Sequence, residues 1–318
     1  MPDDARPPSI ADMPAQVAAT PATPAEARGR FFNTGNAFNV QLPPVPDHSF
    51  TAEPRRALDP TTPTGLIACD ISFELDCPFP ATAPLVLVRY AKIRAGETLT
   101  TDFVASGVIA YVICGSGTTR CAGEHIAWRE GDLFVLPGGE AATHAADDTD
   151  AVLWIVTNEP QLAFEHLRAP LQGRAPTEIV HYRADEIARQ IALLYDIGRN
   201  EQIAGSALIF SAERQEATRN ILPTLTVAIN SLPGGAVQRP HRHNAVAVSL
   251  IIKGDRCFSM IDGRRKDWAP WATTITPPVS VHSHHNGGNE QALFLIIQDG
   301  GIYYHTRAMG FEFAEQPA

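Results

Sequence analysis

The chain has 318 residues, enough for two domains of ordinary size, and 44% of them are hydrophobic, which supports buried cores. A formal charge of −10 and a pI near 5.5, with no extended cluster of Lys and Arg, argue against nucleic acid as a partner. No apolar stretch reaches membrane-spanning length, the start Met1-Pro2-Asp3-Asp4-Ala5-Arg6 is not a leader, and the five cysteines form no C-x-x-C pair; a cytoplasmic protein without membrane contact or a thiolate metal site is expected.

Residues 1–30, rich in Ala, Pro and acidic residues, read as a flexible tail, and residues 31–84 as a Pro-rich arm in which Pro43-Pro44, Pro46, Pro54 and Pro60 favour extended chain over helix. The segment 85–158 is strand-rich, with apolar runs at 85–93, 108–113, 126–128, 133–136 and 151–157 separated by glycines. In the linker 159–220, Ile187, Ile191, Leu194 and Ile197 share one face of a predicted helix over 185–197 that Gly198 would stop. A second strand-rich segment, 221–318, has runs at 222–232, 245–252, 257–261, 273–276, 292–298 and 302–305.

The two segments align on each other. Setting Gly254 on Gly115 places His241 over Asp102 and His243 over Val104, and setting Pro277 on Pro137 places His282 over Ala142 and Trp268 over Trp128. The unit is therefore duplicated, with the histidines in the second copy only.

Five of the eleven histidines fall between Pro233 and Asn286. His241 and His243 point to one face of a strand because side chains alternate, and His282 on a neighbouring strand would complete a facial metal site. Neutral imidazole suits Fe(II), Zn, Ni, Mn or Cu. By the same alternation Ala245, Ala247 and Ser249 face inward and leave room for a ligand, while Val246, Val248 and Leu250 would pack against another sheet, domain or subunit. His284 shares the face of His282 and is a candidate for orienting a substrate or moving a proton. Arg242 points outward toward a salt bridge, His285 toward the surface, and Asn286 fixes a turn.

The pattern Gly235, His241-Arg242-His243, Gly254, then Pro277, His282 and Asn286 resembles the cupin motifs, with Val279 where a glycine is usual and Ala247 where a glutamate ligand is usual. Residues 221–226, Leu232-Pro233-Gly234, His241-Arg242-His243 and Thr276-Pro277-Pro278 are similar to the gentisate 1,2-dioxygenase-like bicupins. The resemblance implies an all-β fold of two tandem cupin (double-stranded β-helix, jelly-roll) domains, 85–158 without ligands and 221–318 with metal. It implies a mononuclear Fe(II) dioxygenase, with Mn, Ni or Zn as alternatives, that cleaves a small hydroxylated or aminated aromatic acid with O2. Asn230 falls where that group carries a glutamine and, with His284, would orient substrate or oxygen; Gln298 and Tyr303 complete the expected pocket with Ala245, Ala247 and Ser249. Two departures stand out: the group usually holds its metal in the first cupin, and the arginine it tends to carry six residues after the second histidine is Ser249 here. A homo-oligomer, dimer or tetramer, is expected. A non-oxidative metal cupin (decarboxylase, lyase or isomerase) and a non-catalytic ligand-binding bicupin remain as alternatives.

Overall fold

The computed structural model describes residues 9–196 and 206–314, and its contacts divide the chain into two units, Met1–Pro43 and Pro44–Ala318. The predicted helix end at Ile197 and its stop at Gly198 lie outside the described residues. In the smaller unit, a 3-10 turn at Ile10–Asp12 is capped by Ser9, and the short helix α1 (Pro24–Ala27) by Thr23, whose hydroxyl accepts from the Glu26 N–H. The following stretch leaves Phe31, Phe32, Phe38, Val40 and Leu42 exposed.

The larger unit opens with β1 (Ser49–Phe50) and helix α2 (Ala52–Leu58), where the sequence suggests extended chain. Pro54 is tolerated because it lies in the first turn, where the missing N–H has no helical partner. The first half then runs β2 (Gly65–Cys69), β3 (Leu87–Ile93), β4 (Thr98–Thr101), β5 (Gly107–Cys114), β6 (Ser116–Cys121), β7 (Glu124–Arg129), β8 (Leu133–Pro137), β9 (Ala142–Ala146) and β10 (Ala151–Thr157). After α3 (Glu159–Phe164), β11 (Val180–Tyr182) and α4 (Ala184–Asp196) lead out of it. These strands form a six-stranded sheet, β11-β8-β5-β10-β3-β2, and a four-stranded one, β4-β9-β6-β7, paired antiparallel throughout. Between them lie Phe103, Val108, Ala110, Trp128, Phe134 and other apolar side chains, so the first sandwich is filled.

The second half repeats the plan. Its strands are β12 (Ser206–Phe210), β13 (Thr226–Leu232), β14 (His241–His243), β15 (Ala247–Lys253), β16 (Cys257–Ile261), β17 (Arg264–Asp267), β18 (Thr273–Thr276), β19 (His282–Asn286), β20 (Ala292–Gln298) and, after helix α5 (Gly300–Thr306), β21 (Phe311–Phe313). One sheet has the order β1-β18-β15-β20-β13-β12 and the other β17-β16-β19-β14-β21. Residues 302–305, expected as a strand, lie in α5 instead. The chain must turn tightly here, since a Cβ on Gly301 would stand 2.6 Å from the Pro223 carbonyl oxygen, and this turn carries the short Ile-Tyr-Tyr run into a helix.

The outward faces of the two six-stranded sheets share one core. Val88, Tyr90 and Trp154 from the first half pack in a single cluster with Val227, Val248 and Leu250 from the second. The outward-facing Val246, Val248 and Leu250 thus meet the other half of the same chain. A back-to-back arrangement leaves the inner face of the β17-β16-β19-β14-β21 sheet to form a cavity, and the histidines line it.

Candidate metal centre

Strand β14 is only three residues long, but it puts His241 and His243 on the inner face, both buried, with Arg242 outside in an ion pair with Glu312 at 2.8 Å. His282, the first residue of β19, is the direct cross-strand partner of His241. One nitrogen from each imidazole falls within 4.8 Å of the others, and among the described residues no second group of His, Cys, Asp or Glu converges in this way.

All three rings are locked in the same tautomer. Nδ1 of His241 donates to the Arg239 carbonyl (2.9 Å), Nδ1 of His243 to the Ala245 carbonyl (2.8 Å) and Nδ1 of His282 to the Ser280 carbonyl (2.9 Å). An imidazole whose Nδ1 carries the proton presents a bare lone pair at Nε2. Burial pushes all three pKa values down, with help from the neighbouring histidines at His243 and His282, the latter to about 3. The rings are neutral at pH 7, and three uncharged nitrogen donors suit a divalent first-row ion.

His284 belongs to a different arrangement. Trp268 Nε1 donates to Ser259 Oγ (2.9 Å), and Ser259 Oγ lies 2.8 Å from His284 Nδ1, within reach of the Ser259 hydroxyl hydrogen. With Ser259 donating, the His284 proton sits on Nε2 and the ring can donate from there. The first half holds the same trio, Trp128 Nε1 to Thr119 Oγ1 and Thr119 to His144 Nδ1, both at 2.8 Å. His144 is therefore the counterpart of His284, and the trio occurs in a half without any of the three ligands. It is a feature of the duplicated sheet and does not depend on metal.

Strand pairing also moves the first half's vacant ligand positions by one residue. His241 pairs with His282, and Thr101 pairs with Ala142. The counterparts of His241 and His243 are thus Thr101 and Phe103, both buried, rather than Asp102 and Val104. Thr101 Oγ1 is hydrogen-bonded to His144 Nε2 at 3.1 Å, and Phe103 joins the apolar filling.

A cavity of about 960 Å³ opens from the three histidines, and Asn230, Ala247, Ser249, His284 and Gln298 are in its wall. Ala245 and Tyr303 are not. The alternation that would carry Ala245 inward is interrupted by a bend at Asn244 and Ala245 between β14 and β15, where the Ala245 carbonyl is used by His243. Tyr303 lies on α5, whose neighbouring Tyr304 faces the cavity instead. His285 is half-buried, stacked on Phe258 with ring centroids 4.5 Å apart, rather than at the surface. Asn286 is buried and fixes its turn through the Leu232 and Glu290 carbonyls and the Gly288 N–H.

The wall also includes residues that strand periodicity could not reveal, because they come from turns. Arg219 and Arg307 line the mouth with φ of 56° and 60°, a region that non-glycine residues seldom adopt. Gln238 Oε1 and Asn220 Oδ1 are buried in the wall with no donor among the described residues. An unpaired buried acceptor is costly, and a ligand carrying N–H or O–H groups would satisfy it.

The fold is that of two tandem cupin-type sandwiches, and the second carries three histidines whose donor atoms could hold a metal ion. The chain is similar in sequence to aromatic-ring dioxygenases of the gentisate 1,2-dioxygenase-like group. It is 22% identical over 251 residues to 5-aminosalicylate 1,2-dioxygenase of Comamonas sp., an alignment covering 69% of this chain and 67% of that one. With 1-hydroxy-2-naphthoate 1,2-dioxygenase of Nocardioides sp. strain KP7 the identity is 27% over 182 residues, covering 54% of this chain and 45% of the relative. The fold matches that of salicylate 1,2-dioxygenase from Pseudaminobacter salicylatoxidans with a TM-score of 0.72 at 14% identity, covering 86% of this chain and 89% of that one. The AraC-like ligand binding domain family matches residues 102–214, a span from the filled half through the connection to β12 of the second half.

Proposed function

We propose that this protein is a mononuclear non-heme Fe(II) dioxygenase that cleaves the ring of a small hydroxylated or aminated aromatic acid. The observation that carries the reading is the convergence of three tautomer-locked imidazoles, one nitrogen from each, at the wall of a cavity large enough for such a ligand. His241, His243 and His282 would hold the ion, and Fe(II) bound there supplies a Lewis-acidic, redox-active centre linking an electron-rich ring to O2. Three neutral ligands leave the ion's charge intact and so favour an anionic chelating substrate.

The protein's own groups supply orientation. Arg219 and Arg307 place positive charge at the mouth, where a carboxylate would be held in the absence of an arginine at Ser249. His284 Nε2–H donates to an oxygen of the bound acid, and Asn230 offers an amide from β13. The unpaired oxygens of Gln238 and Asn220 would accept from ring hydroxyl or amino groups. The names of the relatives, aminosalicylate and hydroxynaphthoate dioxygenases, support the same class.

The test is anaerobic reconstitution with Fe(II), metal analysis, and oxygen uptake with salicylate, gentisate, 5-aminosalicylate and 1-hydroxy-2-naphthoate. Uptake with at least one acid is expected, and His241→Ala should lose both stoichiometric iron and uptake. Iron binding without oxygen uptake on any acid would replace this reading with a non-oxidative metal cupin.

A further inference from the structure

Ala247 stands at the usual glutamate position of the cupin pattern, and its register partner on the adjacent strand is Gln298. Directly paired residues of neighbouring strands project from the same face. Gln298 therefore reaches into the space that the short Ala247 side chain leaves, and both line the cavity. The end of its side chain lies against a ligand: Gln298 Nε2 is 3.1 Å from His243 Nε2. Because His243 Nδ1–H is committed to the Ala245 carbonyl, His243 Nε2 is the acceptor and the Gln298 amide donates to it.

We propose that Gln298 is a fourth protein ligand, a neutral and displaceable one, binding through its carboxamide oxygen the ion held by His241, His243 and His282. The inference rests on the metal reading of the site. Its core is a distance. Two donor atoms each about 2.1 Å from one ion and set at about a right angle are roughly 3.0 Å apart. The amide end of Gln298 already stands at that separation from His243 Nε2.

The chemistry points the same way. Once the His243 lone pair is given to an ion it can no longer accept from the Gln298 N–H. A half-turn about the last side-chain torsion exchanges the amide nitrogen and oxygen at little cost, since that torsion is broad and two-fold. It removes a stranded donor and presents an oxygen to the cation. An amide oxygen, unlike a glutamate, leaves the charge of the ion uncancelled. It is also weak enough to yield to a chelating aromatic acid, so the ion would be held in the resting protein without sealing the substrate position.

Co(II) is the probe, because it binds imidazole and its visible absorption reports the ligand set. Gln298→Ala should weaken Co(II) binding by about 10-fold in competition with a chelator and alter the visible spectrum. The volume-conserving Gln298→Met should do the same while keeping the far-UV circular dichroism of the parent. Gln298→Glu should tighten Co(II) binding and lower the affinity of the Co(II) protein for salicylate, opposite signs that a purely structural glutamine would not produce. Unchanged Co(II) affinity and spectrum in folded Gln298→Ala or Gln298→Met would overturn the assignment. Failure of the wild-type protein to bind Co(II) at all, with His241→Ala indistinguishable from it, would remove the metal reading as well.

Discussion

Val279 lies in the left-handed region at φ 58° on the turn before β19, and 63% of it is exposed. A β-branched side chain there crowds its own backbone, at a cost of roughly 1–2 kcal/mol. The conformation persists because the Val279 N–H donates to the His243 carbonyl at 2.7 Å and so ties this turn to the ligand strand. Cupin sequences usually have glycine at this position, and the structure shows why: the turn keeps the shape that glycine adopts freely. Val279→Gly is expected to stabilise the fold by about 1 kcal/mol, the relief of strain being partly offset by the greater freedom of glycine in the unfolded chain. Little apolar burial would be lost. Urea denaturation measures the change, and a destabilised variant would refute the strain argument. The departure itself was readable in the sequence, as were the three histidines that converge. The arginines and unpaired amides of the wall were not, because turn residues have no periodicity.

Among the elements, the four-stranded sheet of the first half is joined by a chain of side chains taking one residue from each strand. Thr101 on β4 bonds His144 on β9, which bonds Thr119 on β6, which bonds Trp128 on β7. Polar strands such as β4, β6 and β9 carry no apolar run and escape a reading based on hydrophobic alternation. The two halves differ in length at this same place. Inward residues are Val108 and Ala110 on β5 but Ala247 and Ser249 on β15, so the connection from β4 to β5 is one residue longer than its counterpart. His144 is fully buried, and burial pushes its pKa down to about 4. An unfolded histidine titrates near 6.5. Between these values the unfolded chain holds the extra proton, so the contribution of His144 is complete above about pH 6.5 and is lost as pH falls toward 4. It amounts to on the order of 3 kcal/mol. His144→Asn should be less stable than wild type at pH 7, and its stability should fall less on acidification. Denaturation of both proteins at pH 7 and pH 4.5 tests this, and parallel losses would show that His144 does not titrate in this window.

At the scale of the whole molecule the question is what the filled half contributes to a site in the other. The link is Thr273 on β18, fully buried, whose Oγ1 accepts from Trp154 Nε1 at 2.8 Å and lies 2.8 Å from the Tyr90 hydroxyl. Tyr90 also donates to the Trp271 carbonyl at 2.5 Å. Two large side chains of the first sandwich therefore end on the strand that pairs with β15, next to the cavity wall. Duplication of the unit was legible in the sequence, and so was an apolar outer face at Val246, Val248 and Leu250. The face it packs against was not, because a contact between residues more than a hundred positions apart leaves no local pattern. Thr273→Val keeps the shape of the side chain and strands the Trp154 donor, which should cost about 1–3 kcal/mol. If the shared core makes the halves one cooperative body, the variant should unfold in a single transition at lower urea, with tryptophan fluorescence and loss of bound Co(II) changing together. Its Co(II) stoichiometry in the folded state should remain that of wild type, since no ligand has moved. Two separated transitions, with metal lost in only one of them, would mean that each sandwich folds by itself and that the filled half lends the metal site no stability.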